Sequence, residues 1–139
     1  MRSEVPEEFE GIRKVTPEEI EIERAFLSGT PASIDQLSIE KWKEGKEKLK
    51  IFTNAEQGFE ELSDKQKGFL IQHEVGHAIY ESLPKKAKEK FEEAGIDIED
   101  FSSGYSLWLK GVQRQPGKTY SNEMENVLKA KEFIEQLKK

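Results

Sequence analysis

His73 and His77 are the only histidines in this chain, and they stand four residues apart with a glutamate directly after the first: His73-Glu74-Val75-Gly76-His77. Imidazoles at that spacing share a face when the backbone between them is an α-helix, because residues four apart lie about one turn above each other. The spacing therefore predicts a helix through 73–77. It also predicts chemistry. Two ring nitrogens one turn apart can both reach a single Zn²⁺ at about 2.0–2.1 Å. Glu74 follows the first ligand and projects beside the ion rather than onto it. A carboxylate there can take a proton from water and pass it to a leaving amine. Zinc, where bound, lowers the pKa of its water from about 15.7 to about 7.

The rest of the chain can be read around this helix. Ser63-Asp64-Lys65-Gln66 has the spacing of a capping box and predicts that the central helix starts there and runs to about Leu83. Pro84 marks a break, and a further helix over 84–94 closes at Gly95. Upstream, Thr16-Pro17-Glu18-Glu19 reads as a helix start, continued by Ile20, Ile22, Ala25, Phe26 and Leu27 and ended by Ser28-Gly29. Ser33 to Gln36 repeats the cap spacing and predicts a helix to about Glu44. Lys48-Leu49-Lys50-Ile51-Phe52 alternates and reads as a short strand.

Residues 96–117 read mostly as loop, with Phe101, Tyr105, Leu107, Trp108 and Leu109 as an apolar cluster and room for one strand. Gln115-Pro116-Gly117 is a turn, and a last helix runs from Ser121 or Asn122 to the end. Gly76 inside the central helix, and Trp42 and Trp108, read as packing residues. Residues 1–15 are acidic and read as a loosely packed lead-in. The expectation is one α+β domain over 1–139, mostly helical with a small sheet of two or three strands.

Composition narrows the function. The chain has 139 residues, 35% hydrophobic and 36% charged, so one modest core is expected under a very polar surface. A net charge of −6 argues against a general nucleic-acid binder. No cysteine is present, which excludes disulfides and thiolate zinc sites. No apolar run approaches the length of a membrane span, and the N-terminus lacks the apolar core of a signal peptide, so the expected location is cytoplasmic. The bias toward Lys and Glu, with no Cys, resembles a hyperthermophile's protein.

A catalytic zinc usually has three protein ligands. With no further histidine and no cysteine, the third is expected to be a carboxylate or, less commonly, a tyrosine. The last helix offers two acids. Glu123 heads an apolar stripe of Val127, Ala130, Ile134 and Leu137, so it is expected to face inward and need a partner. Glu125 lies nearly opposite. A simpler account covers both acids: Asn122 and Glu125 form a capping box, and Glu123 complements the helix dipole.

Leu70 to Ile79, with hydrophobic flanks around the paired histidines, and Asn122-Glu123 at the head of a later helix together resemble the gluzincins, zinc peptidases with H-E-x-x-H on one helix and a glutamate on another. The resemblance spans about residues 63–137. It implies His73, His77 and Glu123 as zinc ligands, Glu74 as general base and a peptide or protein substrate. From His77 to Glu123 is 123 − 77 = 46 residues, longer than in thermolysin-like members. The gap is more similar to the lethal-factor-like branch and the short archaeal minigluzincins. A literal alignment with the former would make Glu125 the ligand. Asn126-Val127 departs from the Ala/Ser and acidic residue that often follow the family's glutamate by three and four.

The family also implies an oxyanion-stabilising side chain near the glutamate helix, for which Tyr120 and Tyr105 are candidates, and an edge strand above the site, for which residues 48–52 are the candidate. Two other expectations stand beside the peptidase. A terminal segment of the chain would occupy the cleft of a latent form, or zinc would only tie helices together in a binding or scaffold domain.

Overall fold

Ser63 starts the helix that carries both histidines. Its hydroxyl accepts the Gln66 N–H at 3.2 Å, and the Gln66 side chain accepts the Ser63 N–H at 3.0 Å. In this computed structural model, which describes residues 6–25 and 30–138, the helix is α2, Asp64–Ser82. The architecture is α+β, with helices in the majority and one small mixed sheet, as the sequence predicts.

The sheet comes from the first half of the described chain. Strands β1 (Ile20–Arg24), β2 (Ala32–Ser33) and β3 (Leu49–Thr53) lie in the order β1-β3-β2. β1 is parallel to β3, with Ile20 opposite Leu49 and Ile22 opposite Ile51, and β2 is antiparallel to it. Helix α1 (Gln36–Lys43) stands between β2 and β3 in sequence.

Three expectations are corrected here. The predicted helix from Thr16 stops after a single turn, Pro17–Glu19, and becomes β1. The cap is real, since the Thr16 N–H donates to the Glu19 carboxylate at 3.0 Å, but the alternation Ile20-Glu21-Ile22-Glu23 suits a strand. The end expected at Ser28-Gly29 lies outside the described residues. Helix α1 is capped by Asp35, whose carboxylate accepts the Ser38 N–H at 2.7 Å, and not by Ser33. The strand at 48–52 is central rather than an edge: β1 covers one side of β3, and β2 with the Ser38 hydroxyl covers the other.

The second half is helical: α3 (Lys85–Glu93), α4 (Ile98–Lys110) and α5 (Asn122–Leu137). Helix α4 replaces the loop expected over 96–117. Asp97 caps it by accepting the Asp100 N–H at 2.8 Å, and Phe101, Tyr105 and Trp108 recur on one face at helical spacing. Tyr105 and Phe101 are fully buried with Phe91, and the Phe91 and Phe101 rings meet edge to face at 5.0 Å. Burying one such side chain contributes roughly 2–3 kcal/mol. Trp42 and Trp108 pack against this core as expected.

Two glycines let α4 slot between its neighbours. A Cβ on Gly76 of α2 would lie 2.8 Å from the Ser102 Cα, and one on Gly104 would lie 2.8 Å from the Ala130 Cβ of α5. Glycine costs about 1 kcal/mol in a helix relative to alanine, so these positions trade helix propensity for close backbone approach. The expectation of a loosely packed lead-in is corrected over residues 6–15, while residues 1–5 lie outside the described residues. Phe9, Ile12 and Val15 are buried in the core, and the Tyr105 hydroxyl donates to the Arg13 carbonyl at 2.6 Å.

Candidate metal centre

His73 and His77 project from one face of α2, their ring centroids 5.0 Å apart. Facing them is a side chain from the first turn of α4. Glu99 brings one carboxylate oxygen to 3.1 Å from the His73 Nε2 and the other to 2.8 Å from the His77 Nε2. Among the described residues, these three form the group of side chains whose donor atoms lie within 4.8 Å of one another.

The donors suit zinc. Bonds of about 2.0–2.1 Å in a tetrahedral arrangement put neighbouring ligand atoms about 3.3 Å apart. Here the two Glu99 oxygens lie 3.1 and 2.8 Å from the two nitrogens, and one donor atom from each of the three residues lies within 4.8 Å of the others, so the group could hold an ion once the side chains adjust. Two imidazole nitrogens and a carboxylate oxygen are also the donor set of several catalytic zinc sites. The imidazoles are largely covered, with 14% and 22% of the side chain exposed, while Glu99 is 63% exposed, so the centre opens to solvent on the side of α4.

Burial lowers the His73 pKa, and the neighbouring His77 adds to this; the Glu99 charge acts in the opposite direction. The net effect favours the neutral ring that a metal requires. The other nitrogen of His73, Nδ1, lies 2.9 Å from the Ser103 hydroxyl. That hydroxyl donates when the ring carries its proton at Nε2, toward Glu99, and accepts when the proton is at Nδ1, so it holds the ring in either tautomer.

Glu74 is buried beside this group without joining it. Its pKa is raised to about 7, first by burial and then by the charge of Glu99. A carboxyl titrating near neutral pH is matched to accepting and returning a proton.

The other predicted site residues lie elsewhere. Glu123 is exposed in the first turn of α5 and Glu125 pairs with Arg114 at 2.6 Å; neither belongs to the histidine group. Inward position on the apolar stripe fails for Glu123 because burial on α5 begins only with Leu128, a turn later, and the first turn stands clear of the core. Ser121 caps this helix, accepting the Met124 N–H at 3.2 Å. Tyr105 is wholly buried with its hydroxyl engaged at Arg13, which removes it as an oxyanion donor. The Tyr120 hydroxyl accepts the Gln115 N–H at 2.9 Å and so holds the turn before α5.

Sequence reasoning missed Glu99 and Ser103. Both carried a signal. Asp97 to Asp100 has cap spacing, and Ser102 and Ser103 follow Glu99 by three and four, which puts the Ser103 hydroxyl on the Glu99 face of one helix.

A cavity of about 660 Å³ lies away from this centre, lined by residues including Arg13, Glu19, Trp42, Lys46 and Ile79. The candidate centre is located by donor chemistry rather than by enclosed volume. No protein-family model, curated protein or solved structure matches the chain.

Proposed function

We propose that this chain is a zinc metallopeptidase of gluzincin type, with His73, His77 and Glu99 as the metal ligands and Glu74 as the general base. The observation that carries the reading is the Glu99 carboxylate facing both Nε2 atoms while the buried Glu74 stands beside them. A glutamate at 99 also agrees better with the family pattern than one at 123. It follows His77 by 99 − 77 = 22 residues, has a serine three residues on, and has at four residues on a hydroxyl that orients a ligand histidine.

Bound zinc would polarise the scissile carbonyl and acidify water. The chain's own groups do the rest. Glu74 takes the proton of the attacking water on its carboxylate and delivers it to the departing amine nitrogen. Ser103 fixes the His73 ring through Nδ1. The exposed side of Glu99 leaves room for a substrate, whereas a purely structural zinc is usually closed by a fourth protein ligand.

The test is zinc stoichiometry together with cleavage of a mixed peptide library by wild type, Glu74→Gln and Glu99→Ala. The reading expects one zinc in wild type and Glu74→Gln, cleavage by wild type alone, and weakened zinc in Glu99→Ala. No zinc in wild type would end it. Zinc without cleavage would move the assignment to a latent or structural metal site.

A further inference from the structure

β1 ends the sheet, and its outward side is unpartnered among the described residues. The Ala25 N–H donates to the Thr53 carbonyl at 2.9 Å, so by strand alternation Glu21 and Glu23 aim their main-chain groups at β3, and Ile22 and Arg24 aim theirs away. No described turn or loop hydrogen bond uses the main chain of Ile22 or Arg24. Ile22 is 47% exposed although its neighbour across the ladder, Ile51, is fully buried. On the other face Glu21 and Glu23 share one cation, Lys50, each at 3.7 Å, and both acids remain 51% exposed.

We propose that the outer edge of β1 binds an extended segment of a partner protein in which basic and apolar residues alternate, by adding it to the sheet. The complementarity is already displayed on the inner edge. There the neighbour reads Lys48-Leu49-Lys50-Ile51, with the aliphatic residues aligned to Ile20 and Ile22 and Lys50 between the two glutamates. A segment of the same pattern on the outer edge would cover Ile22, use the open main-chain groups, and supply the cation that two carboxylates sharing one lysine lack. A second copy of β1 is a poor occupant. Antiparallel pairing about Ile22 sets Glu21 of one copy against Glu23 of the other, and like charges directly opposite are destabilising. Charges on an edge also deter indiscriminate pairing, so the same two glutamates select the partner. The inference does not depend on the metal centre.

The experiment is a titration of the full chain at low salt, followed by amide NMR and hydrogen exchange, with a blocked pentapeptide of alternating lysine and valine. A glutamate–valine pentapeptide is the control. Expected are shifts and slowed exchange at the Ile22 and Arg24 amides, at least tenfold tighter binding of the lysine peptide, and weakening with added salt. Ile22→Pro removes an amide that the ladder does not use and should abolish binding while the sheet survives. If that variant unfolds, Glu21→Lys with Glu23→Lys decides, and should reverse the preference between peptides. Equal binding of both peptides, binding that persists in these variants, or perturbation confined to α2 would overturn the proposal. So would protection of the β1 amides by self-association without peptide.

Discussion

Gly76 and Ser102 touch backbone to backbone: a Cβ at the first would fall 2.8 Å from the Cα of the second. The glycine between the two histidines therefore sets how closely α4, and with it Glu99, approaches them. Gly76→Ala should gain about 1 kcal/mol in helix propensity and lose more by overpacking against backbone that has nowhere to go, typically 1–3 kcal/mol. The expected net result is a lower denaturation midpoint and weaker zinc binding, because Glu99 lies one turn before Ser102. An unchanged midpoint would show that α4 shifts at little cost.

Ser103→Ala tests the orienting hydroxyl. Its loss should weaken zinc affinity by roughly 10–100-fold, the range seen when partners of metal-bound histidines are removed. Competition with a chromogenic chelator would measure it. Ser103→Thr, which keeps the hydroxyl, should recover most of the affinity; equal loss in both variants would point to disturbed packing instead.

The choice of third ligand can be read from three single variants. Glu99→Gln should cost bound zinc, whereas Glu123→Gln and Glu125→Gln should keep full stoichiometry by elemental analysis. Glu125→Gln should affect only the Arg114 contact that ties the preceding loop to α5. Zinc lost from Glu123→Gln alone would restore the ligand inferred from the apolar stripe.

Glu74 makes metal-free stability depend on pH. Its folded-state pKa of about 7 lies above the ordinary 4.5. Between those values the folded protein holds a proton that the unfolded chain has released, so this group's contribution falls as pH rises from 4.5 to 7 and stays low above that. Glu74→Gln should therefore be more stable than wild type at pH 8, by an amount on the order of 3 kcal/mol, and nearly equal near pH 4. His73 titrates in both proteins, and the comparison largely removes it. Chemical denaturation with chelator present at both pH values provides the measurement.

Much of the centre was legible in the sequence and one helix was not. Four-residue spacing placed His73, Glu74 and His77, and the Ser63–Gln66 box placed the start of α2. Helix α4 was obscured by its own middle: Ser102, Ser103, Gly104 and Ser106 are indifferent or poor helix formers, and their low propensity outweighed the Phe101, Tyr105 and Trp108 periodicity. The same small residues are what allow α2 and α5 to pack so closely on either side. Near Thr16 the opposite happened, as a sound capping signal preceded a segment whose alternation suits a strand. Local signals marked a helix start there, and only the pairing with β3, remote in sequence, decides how far the helix runs.

The Tyr105 hydroxyl reaches the carbonyl of Arg13 across 92 residues of chain. Phe9, Ile12 and Val15, made well before α4, thus wait for that helix before their pocket is complete. Folding of this domain on the ribosome should be late and nearly all at once, with the segment 9–15 exposed to proteases or chaperones until α4 has emerged.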